Sequence, residues 1–346
     1  MASTPTKFKV AAAHAAPVFM DKAATIKKAV RLIEQAAAED VKLLVFPETF
    51  VPGYPYWIEC YPPLTQVSAL ATYAAQSVVV EPNNADMAPL QDACRRTGVA
   101  VVLGVSERMA DGGHTLFNSQ VLIEGGADGG AILGVHRKLQ PTYVERMVWA
   151  QGNGSTLRVW PVRALAGTKV GGLACWEHTM NGARQALIAQ GQVVHAGAWP
   201  ALSTMRGFES VADAQIEALM KAHALTAQVW VVTASNYVDE GCLAWMRESL
   251  GEQELVKKGG GWSAVVHPFC GFVAGPHTGE EEKLVVGEVD LADLAAVKVW
   301  IDAKGHYQRP EILRFGFDET PYWADEKRDR FKGQEEGRRV KEEGEE

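Results

Sequence analysis

The chain has 346 residues, 47% of them hydrophobic, enough to bury a large core in one domain or two. Its 42 acidic residues against 34 basic ones leave a net charge of −8, which favours solubility and gives no basic footprint for nucleic acid, so DNA and RNA partners are not expected. No apolar stretch approaches the roughly 20 residues that a membrane span needs, and the five cysteines are scattered without CxxC spacing, so neither a disulfide framework nor a zinc site is expected.

The N-terminal segment is interrupted by Pro5 and Pro17 and has no leucine-rich core, which makes it a poor secretion signal and points to the cytoplasm. Runs rich in Val, Ile and Leu then recur between helical stretches, the signature of a layered α/β domain. KFKVAAAH (7–14) predicts a first strand, and the next segment sets Ile26, Val30, Ile33 and Ala37 at helical steps along one apolar face. KLLVF (42–46) predicts a second strand, residues 87–98 a helix stopped at Gly98, and VAVVLGVSE (99–107) a third strand. TLFNSQVLIE and GAILGVHRK flank the glycine-rich GGADGG and predict an antiparallel hairpin. Further strands are predicted at 168–177, 229–237, 263–268 and 283–291, with helices at 182–191 and 208–228. There is no repeat of fixed period and no Pro/Ser linker before about residue 320, which argues for a single domain over 1–322. From Ala324 to Glu346 the chain has nine acids and seven bases in 23 residues, so 323–346 is expected to be a charged tail, partly disordered or ordered only against a neighbouring subunit.

Glu48 follows the second predicted strand at once, in VFPETFVPGYP. A carboxylate so near a core is unfavourable unless something uses or neutralises it. Two other strand exits carry chemistry: Lys138 ends GAILGVHRK, and Cys175 opens CWEH. Ligand sites of α/β sheets form where such ends converge. A thiol is only a few per cent thiolate at neutral pH, so a carboxylate base beside it and an ammonium facing the substrate's developing charge would complete a nucleophilic site. Cys94 lies within a helical pattern, and Cys60, Cys242 and Cys270 lie in loop-like sequence, which separates Cys175 from the other thiols. There is no HExxH and no GxxxxGK[ST], and GGADGG and KKGGGW read as turns rather than phosphate loops.

VFPETFVPGYP, HRKLQPTYVERMVWAQGNGS and GGLACWEH resemble the three signature blocks of the nitrilases, within the carbon–nitrogen hydrolase superfamily. The order Glu, Lys, Cys matches, with separations of 90 and 37 residues, and GHYQRPEILRF (305–315) resembles a further nitrilase block. The likeness runs from about Lys7 to Phe315. It implies a four-layer αββα sandwich, with Glu48 as general base, Lys138 stabilising the tetrahedral intermediate, Cys175 as nucleophile and Glu145 as a second carboxylate beside them. It also implies that Tyr54 faces the substrate, that Trp149, Trp176 and Trp199 line the pocket, and that the backbone N–H of Trp176 completes an oxyanion hole. His136 and His178 are read as orienting their neighbours.

The activity so implied is hydrolysis of an organic nitrile to a carboxylic acid and ammonia through a covalent thioimidate and thioester, with water as the only co-substrate and no metal or other cofactor. Two readings keep the same triad: an amidase of the superfamily, and a cyanide-degrading enzyme, which the WEH form also resembles. A non-catalytic protein on the same scaffold is disfavoured because all three triad residues are present. The resemblance further implies homodimers that extend into spiral oligomers, with 239–261 a plausible contact segment.

Overall fold

A computed structural model of the chain describes residues 6–111, 113–126, 129–328, 330, 331 and 334. The middle of GGADGG, residues 127 and 128, and the tail beyond 334 lie outside the described residues. The strands are β1 (Lys7–His14), β2 (Val41–Val45), β3 (Ala100–Arg108), β4 (Leu116–Ile123), β5 (Ile132–Arg137), β6 (Trp160–Val162), β7 (Thr168–Ala174), β8 (Val194–Trp199), β9 (Trp230–Ser235), β10 (Ser263–Val266), β11 (Phe272–His277) and β12 (Lys283–Asp290). The α-helices are α1 (Lys22–Ala38), α2 (Val67–Gln76), α3 (Ala88–Thr97), α4 (Asn181–Ala189), α5 (Ala212–Ala227), α6 (Glu240–Leu250) and α7 (Ala292–Trp300).

Side chains alternate across a strand with a period of two, and here both faces of each sheet are apolar. Val10 and Ala12 of β1 and Leu43 and Val45 of β2 enter one buried cluster, shared with Val170, Val194, Ala196, Val232 and Ala234 of the other sheet. Their neighbours Ala11, Ala13, Val41 and Leu44 enter a second cluster with Ile26, Ala29, Leu32 and Ile33 of α1 and Leu90 and Ala93 of α3. Val231 of β9 faces a third, against Ile216, Met220 and Ala224 of α5. The result is two six-stranded sheets, ordered β12-β1-β2-β3-β4-β5 and β11-β10-β9-β8-β7-β6, face to face with helices outside. This is the expected αββα sandwich. Burying each Val or Leu in such a core contributes about 1.5–3 kcal/mol.

The β4–β5 hairpin is antiparallel as expected, whereas β1–β2–β3 and β7–β8–β9 are parallel. Helix α1 is capped by Asp21, whose carboxylate accepts the Ala24 N–H at 2.9 Å. Its buried face runs through Ile26, Ala29, Leu32, Ile33 and Ala36, with Val30 and Ala37 at the edge, because the small Ala29 and Ala36 bring the helix close to the sheet. Gly98 ends α3 at φ 78°, a left-handed position that favours glycine.

Strand β8, VHAGAW, has no counterpart in the sequence-based expectations. Its central Ala-Gly-Ala has low strand propensity, and burial of all six residues, with parallel pairing on both sides, overrides it. Helix α6 falls in the expected contact segment 239–261, yet Cys242 and Met246 are buried in this chain's own core and Trp245 stands 5.6 Å from Phe19. Among the described residues no helix is long and apolar enough to cross a membrane.

The charged segment after residue 322 also makes contacts within the chain. Asp325 and Glu326 accept from Arg137, Arg330 donates to Glu107 and to the carbonyl of Val80, and Gln334 bonds both backbone groups of Ile132 on β5. Phe331 packs on the cluster beneath α1.

Candidate active site

The parallel topology brings several strand exits to one end of the sandwich. Glu48 lies three residues beyond β2, and Lys138 and Cys175 directly follow β5 and β7. The loop carrying Glu48 folds back onto β3 at Gly104, where a Cβ would stand 2.0 Å from the carbonyl oxygen of Pro47, so only glycine fits. Each of the three loops holds a non-glycine residue in left-handed backbone: Thr49 at φ 41°, Tyr143 at φ 45° and Cys175 at φ 53°. Such positions cost about 1–3 kcal/mol each and persist where surrounding structure enforces them.

The side chains form one buried cluster. Lys138 Nζ donates to Glu48 Oε1 at 2.8 Å and to Glu145 Oε2 at 2.7 Å. Asn118 Nδ2 donates to the same Glu48 oxygen at 2.6 Å, leaving Glu48 Oε2 buried with no hydrogen-bond partner among the described residues. Tyr54 donates its hydroxyl to Glu145 Oε1 at 2.9 Å, and the Thr142 N–H donates to Oε2 at 2.7 Å. Glu48, Glu145 and Cys175 each offer an atom within 4.8 Å of the others. None of Glu48, Lys138, Glu145 and Cys175 is more than 2% exposed.

Burial raises Glu48 to about 7; Lys138 and the Asn118 amide pull it down, and Glu145 pushes it up. Burial and the neighbouring Glu48 carboxylate hold Cys175 well above an ordinary thiol, with the Lys138 charge and the Trp176 N–H working the other way. Burial would lower Lys138, but Glu145 and Glu48 outweigh it and hold the ammonium charged. Near pH 7 the site thus contains a thiol, an ammonium and a carboxyl group poised to exchange a proton, the arrangement general-base catalysis requires.

A third carboxylate, Glu177, clamps the loops together. Glu177 accepts the N–H of Leu139, just past Lys138, at 2.7 Å and the N–H of Ala174, just before Cys175, at 3.0 Å. His136 Nε2 lies 3.0 Å from its Oε2. Burial opposes both charges, yet their mutual attraction wins, raising His136 and lowering Glu177. Neither Glu177 nor Asn118 was among the expected site residues. The signal for Asn118 was a polar residue in the apolar run TLFNSQVLIE, and CWEH itself carries Glu177.

The aromatic residues divide. The Tyr54 ring lies 6.0 Å from that of Trp149, whose indole N–H donates to Ser106 at 3.0 Å. Trp199 stacks on His178 at 5.1 Å, in the same buried cluster as Cys175. The Trp176 side chain is half-buried at that cluster's edge, and its backbone N–H faces the Cys175 sulfur. The spacing of Glu48, Glu145 and Cys175 would suit a metal ion, but the Lys138 ammonium already bridges the two carboxylates and supplies that positive charge.

The sequence profile described as carbon-nitrogen hydrolase matches residues 9–299. A nitrilase from Pseudomonas syringae pv. syringae is 35% identical over 316 residues, covering 90% of each chain. An aliphatic nitrilase from Rhodococcus rhodochrous is 34% identical over 90% of this chain and 83% of its own. An arylacetonitrilase from Aspergillus niger is 34% identical over 90% and 89%. Among solved structures, a carbon-nitrogen hydrolase from Helicobacter pylori G27 superimposes with a TM-score of 0.66 at 19% identity, over 89% of this chain and 99% of that one, a likeness of fold. With the profile spanning the whole sandwich and relatives aligned along nine-tenths of the sequence, the chain belongs to the carbon-nitrogen hydrolases, in their nitrilase branch.

Proposed function

We propose that this enzyme hydrolyses an organic nitrile, R–C≡N, to the carboxylic acid and ammonia through a covalent bond to Cys175. Glu48 takes the thiol proton as the sulfur attacks the nitrile carbon and passes it to the nitrile nitrogen, giving a neutral thioimidate. Water adds, the C–N bond breaks, and ammonia leaves with the water's protons, carried by Glu48. A second water, activated by Glu48, cleaves the thioester to release the acid and restore the thiol. Lys138 and the Trp176 N–H stabilise the charge that develops at each addition, and Glu145 holds Lys138 in place. Tyr54, Trp149, Trp176 and Trp199 form the wall against which R packs.

The observation that carries this reading is a buried carboxylate with one unpartnered oxygen, Glu48 Oε2, in a cluster with a thiol and an ammonium. Ammonia release is measured with phenylacetonitrile, benzonitrile, a short dinitrile, cyanide and the matching amides. Nitriles are expected to react, and C175A to abolish the reaction while wild type shows a nitrile adduct on Cys175 by mass spectrometry. Turnover of amides alone, of cyanide alone, or of nitriles by C175A at the wild-type rate refutes it.

We also propose that the enzyme works in the cytoplasm and that its copies pair and extend into larger spirals. Support for assembly comes from Val299, Trp300, Ile312 and Leu313, all exposed and apolar after β12. Sedimentation of the full chain tests it, and a monomer at micromolar concentration would refute it.

A further inference from the structure

Cys175 meets a second buried polar group through its backbone, one that the proposed chemistry does not use. His178 Nδ1 lies 2.6 Å from the Cys175 carbonyl oxygen, and His178 Nε2 lies 2.8 Å from Nε2 of His195 on β8. His195 Nδ1 is 3.0 Å from Gln192 Nε2, and Gln192 Oε1 is 3.0 Å from Nε2 of His223 on α5. All four side chains are buried.

The chemistry of the atoms gives this chain one direction. A carbonyl oxygen can only accept, so His178 carries its proton on Nδ1 and leaves Nε2 bare. The bare nitrogen needs a donor, so His195 is protonated on Nε2 and bare at Nδ1. That nitrogen accepts from the Gln192 amide, whose oxygen accepts from His223 Nε2–H. Burial pushes His178 down to about 4 and the other two histidines well below the ordinary value, which keeps the neutral tautomers in place near pH 7.

We propose that His178, with its tautomer set by His195, Gln192 and His223, is a positioning residue that aims the oxyanion donor. The Cys175 C=O and the Trp176 N–H belong to one rigid peptide plane. Gripping the carbonyl therefore fixes where the N–H points, holds Cys175 at its left-handed φ of 53° and polarises the peptide toward stronger donation. The inference rests on Cys175 being the nucleophile.

Two substitutions separate this role from packing. In H178N the amide sits at the δ position and still reaches the Cys175 carbonyl; in H178Q it sits one carbon farther out and does not. Gln matches the size of His better than Asn does, so packing alone predicts that H178Q is the better enzyme. The expected result is the reverse: H178Q loses about a hundredfold in kcat with KM little changed, the scale of losing one oxyanion donor, while H178N stays within about fivefold, the scale of one neutral hydrogen bond. A kcat for H178Q equal to or above that of H178N overturns the proposal. Solid-state NMR of ¹⁵N-histidine-labelled wild type gives a test that needs no variant to turn over, with the His178 signal identified by its loss in H178N. His178 is expected as the Nδ1–H tautomer and His195 as Nε2–H at pH 7; the opposite tautomers or a charged His178 overturn the proposal. Because the tautomers are read without substrate, failure of the relay is distinguishable from failure of the nitrile reading, which the Cys175 adduct tests.

Discussion

The position of Glu48 makes a quantitative prediction about pH. Buried and unpartnered at one oxygen, it titrates at about 7 instead of the ordinary 4.5. On the proposed mechanism Glu48 must be ionised to accept the thiol proton, so kcat/KM for an uncharged nitrile is expected to follow its ionised fraction, rising from about one-tenth at pH 6 to about nine-tenths at pH 8, about tenfold. An ordinary carboxylate would change that fraction by less than about 5% over the same range. Glu59, pushed to about 7 by burial and by Glu145, titrates in the same window, so the profile is measured in wild type and again in E59Q. The tenfold limb is expected in both, and E48Q is expected to lose activity by about 10²–10⁴-fold together with the limb. Stability moves the other way. A carboxyl group whose folded pKa is raised favours the native state fully below its unfolded pKa and loses that contribution as pH climbs from 4.5 through about 7. Urea unfolding at pH 5 and pH 8 is therefore expected to shift in favour of E48Q over wild type by up to about 3 kcal/mol. A flat rate profile between pH 6 and 8, or a limb that survives in E48Q, would refute the assignment.

Asn118→Leu removes a donor that pulls Glu48 down, so the acid limb of kcat/KM should move to higher pH; an unmoved limb would mean that this bond does not tune the base. Gly104→Ala drives a methyl into the Pro47 carbonyl, and a loss of more than about 2 kcal/mol in unfolding free energy is expected, with reduced turnover as the Glu48 loop shifts. Glu107→Gln leaves the buried Arg137 without its strongest partner, and urea unfolding at pH 7 should show a loss of about 3–5 kcal/mol. In wild type, burial would raise Glu107, but Arg137 and Arg330 hold it at about 2, so its stabilising contribution is present above pH 4.5 and is lost as pH falls toward 2. An E107Q protein with wild-type acid sensitivity would count against that pairing.

The local pattern was enough for much of the scaffold and for naming the three residues that the proposed mechanism uses. The strands 7–14, 42–46 and 99–107 and the helix stop at Gly98 were readable because burial on both faces demands continuous apolar runs and a left-handed stop demands glycine. Glu48, Lys138 and Cys175 were readable because each is a polar residue at the mouth of an apolar strand, inside long motifs in a fixed order. Strand β8 was missed because Ala-Gly-Ala carries no strand propensity of its own, and α6 had no predicted counterpart because its buried positions, Cys242 and Met246, are too sparse to show a face.

The sequence by itself determined which groups are available to react and that they sit at strand ends, since those are properties of single segments. Tertiary structure alone decided that Asn118 leaves one oxygen of Glu48 free, that Glu177 ties the Lys138 loop to the Cys175 turn, and that His178, His195, Gln192 and His223 line up behind one carbonyl. Partners such as Asn118 and Glu48, 70 positions apart, Leu139 and Glu177, 38 apart, and Gln192 and His223, 31 apart, leave no periodicity in the chain. Asn118 and Glu48 meet when the strands of one sheet assemble, Glu177 and Leu139 meet when the two sheets pack face to face, and the burial that results raises Glu48 to about 7.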